Sequence, residues 1–537
     1  MSIERSKEKD YKSLSTPSKA GDKPTNGPQS LRPSGAANDA TASDTQNLVN
    51  LNYTYAADGD VSPLPSENAA AIGISVEPIV IDESPLGEHK TAQDPTDGKS
   101  PKKARQEEKD RRRLGRDRWL VRNGHLLTYF GLYLFSILVL FRPYELVPGL
   151  GFLSATAFYF AAATLAIYLP SQLVTEGNLT MLSTEVKAIL ALTLIALLTV
   201  PIAKDPGTAW ETFNDPYIKA VLIFIVLVNV VRTRRRLMAM MWLSLGIGVY
   251  LSYSAMDLYL SGKFVVEEYR VAVDIKGMFG NPNEMSLHFV MMIPLAITLC
   301  IGSKTKLMRV IYLAMSVLFI AANMVTYSRG GFLGILAAAA VLVWKLGRKN
   351  RMSVTIISLF IGGITILAAP GNYGLRVLSI FIPGLDAVGS SDQRRELLER
   401  SLLVTARNPW GIGIGNFPIV GIHDHQTHNA FTQVSSELGI LGLIAYLIFM
   451  ISPYRKLRAI ERTLFEKDDL DWFYYLSIGL QASIIGYLVS SFFASVAYNW
   501  FIYYLIAYAV AFRRVYHIEK EGEPAKPLWA PQAVEAT

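Results

Sequence analysis

From His125 onward the chain is a succession of apolar runs, most of them close to twenty residues, joined by short polar links. A membrane span needs roughly 17–25 apolar residues. Lipid offers the backbone no hydrogen-bond partner, so runs of this kind must form helices. They predict spans near 125–141, 152–169, 186–203, 217–231, 237–260, 286–301, 309–327, 331–346, 352–369, 428–452, 472–492 and 497–512. The expected fold is therefore an all-α, polytopic integral membrane protein of about twelve transmembrane helices, with its membrane domain over 123–516. The alternating pattern of an outer-membrane strand is absent.

The placement of charge tests this count. Charged residues make up only 18% of the chain, against about 25% in a soluble protein. The net charge of +7 does not point to nucleic acid, because the basic residues sit in short clusters between apolar runs. Such clusters read as membrane orientation. If sides alternate at each span, five clusters fall on one side: Arg232 with Arg234, Arg235 and Arg236; Lys304, Lys306 and Arg309; Lys345, Arg348, Lys349 and Arg351; Arg455, Lys456 and Arg458; Arg513 and Arg514. Adding or removing one span would scatter them. The rule that positive loops stay inside then predicts an even count with both termini cytoplasmic. Residues 1–122 are rich in Ser, Pro, Asp, Lys and Gly and poor in aromatic residues, which predicts a disordered cytoplasmic tail. Residues 517–537 form a short cytoplasmic tail at the other end. No cleavable signal peptide is expected, because the first apolar run starts far from Met1. The lone Cys300 lies inside an apolar run and excludes a disulfide framework or a cysteine metal site.

Ionisable residues inside the spans are rare, and each one needs a reason, since a charge at a helix centre costs about 2.5–3.5 kcal/mol on insertion scales. Asp257 and Glu437 lie toward the outer ends of their spans. Arg329 marks the outer junction of two spans, and His428 opens another on the same side. Arg270, Asn281, Asn283 and Glu284 occupy the outer link before residue 286. The long outer loop, 370–427, carries Arg394 and Arg395 in a stretch where Leu397, Leu398, Leu402 and Leu403 suit one face of an amphipathic helix. That helix is expected to lie on the membrane surface or to cap a cavity. Polar chemistry is thus concentrated on the face away from the basic clusters.

Three blocks on that face resemble a known family. The first is Gly277-Met278-Phe279-Gly280-Asn281-Pro282-Asn283, preceded by Arg270. The second is Thr326-Tyr327-Ser328-Arg329-Gly330-Gly331-Phe332-Leu333-Gly334. The third is Gly411-Ile412-Gly413-Ile414-Gly415-Asn416-Phe417, followed by His428-Asn429-Ala430-Phe431 and Glu437-Leu438-Gly439. Together they resemble the O-antigen ligase and polymerase family of bacterial envelope glycan assembly, over roughly 125–512. The tail before 122 is outside the family pattern. The resemblance implies a fold like the metal-independent GT-C branch of membrane glycosyltransferases, in the bacterial inner membrane. It implies a glycan donor on undecaprenyl diphosphate, used at the periplasmic face, with lipid A core, another glycan or a protein hydroxyl as acceptor. Neither a cofactor nor a metal is expected. Arg270 and Arg329 would hold the diphosphate, and His428 would assist at the acceptor or the leaving group.

The chemistry of these residue types supports those roles. Negative charge grows on the diphosphate as the sugar departs. Arginine meets phosphate with a two-pronged fork and stays protonated in a partly dry site. Two such groups stabilise developing charge. Arg329 precedes Gly330-Gly331 at a helix start, where the partial positive charge and free amides of the helix end favour an anion, and the glycines are expected to admit it closely. A histidine titrates in the range suited to taking a proton from an acceptor hydroxyl. Asn283, Arg394 and Arg395 are further candidates for contact with diphosphate or glycan.

Simpler readings stand beside these. Arg329 can anchor a helix end by snorkelling, and His428 can cap its helix. Tyr327 reads as an interfacial aromatic. Glu437, some two turns below His428, is a candidate catalytic base, with a structural partner for a buried polar group as the preferred reading. Asp257 is expected to pair with a neighbouring cation. Arg394 and Arg395 can equally serve as solvating charges. His423, Asp424, His425 and His428 do not match a closed zinc site in spacing. Gly411, Gly413 and Gly415 follow no strand, which excludes a dinucleotide fingerprint. A lipid-linked-glycan flippase or polysaccharide transporter is the competing function, disfavoured for ion coupling because the midplane carries almost no charge. A non-catalytic assembly scaffold is the third.

Overall fold

The computed structural model describes residues 125–142, 144, 149–150, 153–264, 269–273, 279–369, 371, 373–380, 382, 390–422 and 424–521. The expected tail over 1–122, residues 522–537 and His423 lie outside the described residues. Each apolar run predicted as a span contains a helix, the last beginning at Trp500 rather than at 497. In chain order the helices are α1 (Leu126–Ser136, extended by a π-helical turn, Ile137–Phe141), α2 (Leu153–Glu176), α3 (Thr184–Thr199), α4 (Pro206–Thr212), α5 (Ile218–Val230) and α6 (Arg234–Leu260). They continue with α7 (Pro282–Gly302), α8 (Lys306–Val325), α9 (Arg329–Leu346), α10 (Arg351–Leu367), α11 (Tyr373–Leu378) and α12 (Ser390–Arg407). The last are α13 (Phe417–Val420), α14 (Ala430–Glu466), α15 (Trp472–Ser490) and α16 (Trp500–Tyr516). No strand occurs among the described residues. Among the described residues eight segments are long and apolar enough to cross a membrane, and α1 and α10 are shorter apolar helices. The protein is thus an all-α polytopic membrane protein.

Two helices of similar apolar character end up in opposite environments. In α16 every residue from Phe501 to Tyr516 is buried, whereas α10 buries none. A helix that is apolar all round suits the bundle interior or lipid alike. The tyrosines of α16 decide the matter, because a buried hydroxyl needs a partner. Tyr504 donates to Ser136 Oγ at 2.9 Å, Tyr508 donates to the Met240 carbonyl at 3.0 Å, and Tyr503 donates to the Ala497 carbonyl at 3.2 Å. Elsewhere in the bundle, α7 packs against α8, α9 and α15.

The basic clusters expected as loop charges are partly helical and partly buried. Arg455, Lys456 and Arg458 belong to α14, which runs on to Glu466 instead of ending near 452. Glu185, fully buried, takes both prongs of Arg513 at 2.8 and 3.0 Å and Lys456 at 3.1 Å. Glu461 takes Lys345 at 2.6 Å and Arg348 at 2.7 Å. Glu176 takes Arg232 at 2.8 Å and also Arg514. These links gather four of the five clusters at one end of the bundle, by contact rather than by solvation alone. Breaking such a pair from one side leaves an uncompensated buried charge and costs about 3–5 kcal/mol. Glu185→Ala is therefore expected to lower the unfolding free energy by about that amount, read as a fall in melting temperature in detergent. An unchanged melting temperature would show that the two cations find water instead.

Arg329 begins α9 and Lys345 lies near its far end, 16 residues on, or about 24 Å along the axis. His428 likewise precedes α14 while Glu461 lies far down it. The candidate residues therefore sit at the end of the bundle opposite the ion-pair networks.

Candidate active site

The first two sequence blocks are joined by a chain of hydrogen bonds. Asn281 caps α7, its side chain accepting from the Asn283 amide at 2.9 Å. Ser328 caps α9, its Oγ accepting from the Gly331 amide at 3.1 Å. The same hydroxyl donates to Asn283 Oδ1 at 2.9 Å. Arg270 Nη2 donates to that oxygen too, at 2.9 Å, while its Nε donates to the Thr326 carbonyl at 2.9 Å. Arginine is a pure donor and a carbonyl oxygen has two lone pairs, so Asn283 Oδ1 is fully used. One amide oxygen therefore yokes Arg270 to the cap that sets the start of α9, and the next residue along is Arg329.

Arg329 is buried, and its Nη1 donates to Ser379 Oγ at 3.2 Å and to Ser391 Oγ at 3.0 Å. Ser379 follows α11, and Ser391 lies in the first turn of α12. A further arginine at this end of the bundle, Arg376 of α11, was not singled out in the sequence. It reaches the Tyr327 carbonyl through Nε at 3.3 Å, bonds the Tyr269 hydroxyl, and stacks 5.2 Å from that ring. Ser379 Oγ donates to the Arg376 carbonyl at 2.7 Å, so Arg376 and Arg329 share one turn of support. The available signal was an arginine three residues before a serine within the 370–427 loop. Nothing local tied it to Tyr327 or Arg329.

Tyr327 is not an interfacial residue. It is buried with a left-handed φ of 50°, its ring 5.2 Å from Tyr269 and 5.8 Å from Tyr373. The glycine pair also differs from expectation. A Cβ on Gly331 would stand 1.7 Å from Ser286 Oγ, and one on Gly330 would stand 2.8 Å from the Phe493 Cβ. Helix packing occupies the space expected for an anion, and Ser328 already satisfies the Gly331 amide.

Helix α12 brings the two halves of the site together. The four leucines do not share a face: Leu397 is buried with Ser401 and Val404, while Leu402 and Leu403 are exposed. The buried positions repeat every three or four residues, as one helical face requires. They pack with Ile412 and Phe417, and Thr405 Oγ1 lies 3.0 Å from Ser435 Oγ of α14. Arg394 points the same way, half-buried, close enough to act electrostatically on His428. Arg395 is exposed and pairs with Glu399 at 3.1 Å. The structure thus separates two arginines that the sequence left equal.

His428 has a left-handed φ of 52° and lies just before Asn429, which caps α14 by accepting from the Phe431 and Thr432 amides at 2.9 and 3.1 Å. The cap is Asn429, so His428 is free of that duty. Burial, aided by Arg394 and His425, pulls the imidazole down to about 4. The His425 and His428 rings are 6.4 Å apart.

Glu437 is fully buried. Its Oε1 accepts from the Phe417 amide at 3.2 Å, and the Tyr498 hydroxyl lies beside the carboxylate. The glycine-rich loop passes directly under this residue: the Ile412 amide donates to the Ser436 carbonyl and the Gly413 amide to the Glu437 carbonyl, both at 3.0 Å. Asp257 is exposed and forms no ion pair among the described residues, contrary to expectation.

Residues 314–447 match the family described as O-antigen ligase. That segment contains Arg329, Arg376, α12, His428 and Glu437, and leaves out Arg270 and Asn283. The chain is also 30% identical over 184 residues to an O-antigen polymerase of Salmonella muenchen. That match covers 32% of this chain and 44% of the relative, so the chain spans less than half of the relative's length. The chain is thus similar to O-antigen ligase over the segment that holds Arg329, His428 and Glu437, and to an O-antigen polymerase over a stretch of 184 residues.

Proposed function

We propose that the protein transfers a glycan from an undecaprenyl-diphosphate carrier to an acceptor hydroxyl at the periplasmic face of the bacterial inner membrane, with both termini cytoplasmic. The match of 314–447 to O-antigen ligase and the 30% identity to an O-antigen polymerase support glycan ligase or polymerase activity in general. The observation that carries the finer reading is the single path from Arg270 through Asn283 and Ser328 to Arg329, then through Ser391 and α12 to Arg394 beside His428. Fixed cations and a neutral imidazole thus share one end of the bundle, opposite the basic clusters.

In this reading the guanidinium groups of Arg329 and Arg270 bind the diphosphate, with Arg394 and the NH2 of Asn283 as further donors, and Arg395 outside the site. The bond between the sugar anomeric carbon and the diphosphate oxygen breaks, and the oxygen keeps the electron pair. The acceptor oxygen bonds to that carbon and gives its proton to the His428 imidazole, which later releases it to water. The arginines carry the neutralising charge, so the scheme draws on no metal and no cofactor. Glu437 holds the Phe417 amide and keeps the loop beneath the site in place rather than exchanging protons with substrate.

The lowered titration of His428 sets the test. In the folded protein the ring stays neutral down to about pH 4, whereas an unfolded chain takes up its proton near 6.5. Stability from this difference is present above about 6.5 and is lost as pH falls toward 4. The proton acceptor is therefore available across the neutral range, and the acid limb of kcat/KM, which reports the free enzyme, is expected near 4. His428→Gln is expected to slow transfer by about 100-fold or more and to remove that limb, with labelled carrier-linked donor and purified protein. An acid limb near 6.5 that survives the substitution would overturn the assignment.

A further inference from the structure

His428 is placed by a segment of chain that is neither helical nor exposed. Between α15 and α16 the backbone runs through 494–499 without helical bonds after a short 3-10 turn, Ser491–Phe493. Ala494, Val496, Ala497 and Tyr498 are all buried there. Irregular backbone is tolerated at membrane depth only where its polar groups find partners inside the protein. Here they do. The Val496 carbonyl accepts from the Tyr487 hydroxyl at 3.2 Å. The Ala497 amide donates to Gln433 Oε1 at 3.3 Å, and the Ala497 carbonyl accepts from Tyr503. Gln433 belongs to α14, the helix that His428 precedes, so the segment is tied to the same element it supports.

Ser495 is the side chain of this segment that hydrogen-bonds to the His428 backbone. Its Oγ accepts from the His428 amide at 2.8 Å and lies 3.0 Å from Thr427 Oγ1. Thr427 Oγ1 in turn donates to the Asn429 carbonyl at 2.8 Å and accepts from the Asn429 amide at 3.3 Å. A hydroxyl has one proton, and that of Thr427 is committed to a carbonyl, which can only accept. The proton between the two hydroxyls must then belong to Ser495. Each hydrogen in the cluster is thereby assigned, and together these bonds hold a residue in the left-handed region that a histidine seldom adopts. Such a conformation persists only where its surroundings enforce it.

We infer that Ser495 is a positioning residue for the transfer reaction: its hydroxyl holds the His428 backbone so that the imidazole meets the acceptor, without touching substrate itself. The inference rests on the role proposed for His428. A displacement of about 1 Å in a reacting group costs up to about 100-fold in rate. Ser495→Ala is therefore expected to lower kcat by about 10- to 100-fold, with KM for the carrier-linked donor unchanged. Ser495→Thr keeps the hydroxyl and is expected to restore kcat. Thr427→Val removes the partner that orients the hydroxyl and reports on the same cluster if Ser495→Ala folds poorly.

A double-mutant cycle with His428→Gln separates this inference from the reading beneath it. If Ser495 acts through His428, the double variant is no slower than His428→Gln alone. Multiplying losses would show that Ser495 acts elsewhere and would overturn the inference, as would a wild-type kcat in both Ser495→Ala and Thr427→Val. Wild-type activity in His428→Gln itself would instead remove the catalytic role of the histidine.

Discussion

Arg329→Lys is expected to cut glycan transfer by about 100- to 1,000-fold while leaving the protein folded. The substitution keeps the charge, so simple attraction of an anionic carrier survives. What it removes is geometry. One nitrogen of the guanidinium, Nη1, serves Ser379 and Ser391, and the planar group holds its five N–H donors in a fixed fork. A lysine ammonium is a point charge on a flexible stem and cannot serve two serines and a diphosphate in one plane. The loss corresponds to roughly 2.7–4 kcal/mol, the scale observed when one preorganised donor is taken from a developing oxyanion. Single-turnover transfer from a labelled carrier-linked donor measures it, with melting temperature as the control for folding. Transfer within a few-fold of the parent would mean that charge alone suffices, and the fork would have no part in the reaction. A flippase would behave differently: the donor would still cross the membrane in the variant and accumulate unreacted.

The helices were legible in the sequence because apolar length is a local property. Each predicted run contains a helix, and the Ser-Arg-Gly-Gly and His-Asn blocks fell at helix starts, where capping residues such as Ser328 and Asn429 announce them. Which apolar helix faces lipid was not legible. Lipid and protein core select the same residues, and only the tyrosines of α16 and its Arg513-Arg514 pair distinguish it from α10. The basic clusters were read for their sign alone. Their partners, Glu176, Glu185 and Glu461, are single carboxylates far away in sequence, and the pairing exists only once the helices pack. At the site, the arginines and the histidine were visible as unusual residues in an apolar chain. The serines that hold them were not: Ser379, Ser391 and Ser495 are common residues in unremarkable surroundings, and their roles arise from contacts across 50 to 67 positions. The glycine pair after Arg329 illustrates the same limit from the other side. Sequence suggests an anion site there, whereas the missing side chains make room for Ser286 and Phe493.

The second large effect is expected at Gly411, and it is structural. Helix α14 breaks at Gly439, whose φ of 75° interrupts the helical ladder and leaves carbonyls upstream without their usual donors. An unpaired carbonyl in a membrane protein interior is costly, so another donor must arrive. The loop at 409–413 supplies it. Its amides at Ile412 and Gly413 donate to the Ser436 and Glu437 carbonyls, and the Pro409 carbonyl accepts from the Ile440 amide, each at 3.0 Å. Such close apposition of two backbones leaves no room for a side chain. A Cβ on Gly411 would stand 2.3 Å from the Glu437 carbonyl oxygen, and Gly411 itself has a φ of 89°. The clash is with backbone, which cannot rotate away. Forcing an L-residue into the left-handed region costs about 1–2 kcal/mol. Overpacking adds about 1–3 kcal/mol. Gly411→Ala is therefore expected to destabilise the protein by about 2–5 kcal/mol, read as thermal unfolding in detergent. Transfer activity is expected to fall with it, because the same loop leads into Phe417, whose amide Glu437 holds and whose ring packs against Leu397 of α12. Loosening the loop frees the helix that carries Ser391 and Arg394. Gly362→Ala is the matched control, since nothing lies within 4 Å of its Cβ position on α10 and a helical alanine is favoured over glycine by about 0.5–1 kcal/mol. If Gly411→Ala melts with the parent protein while Gly362→Ala behaves as expected, the paired backbones at the α14 break do not support the site.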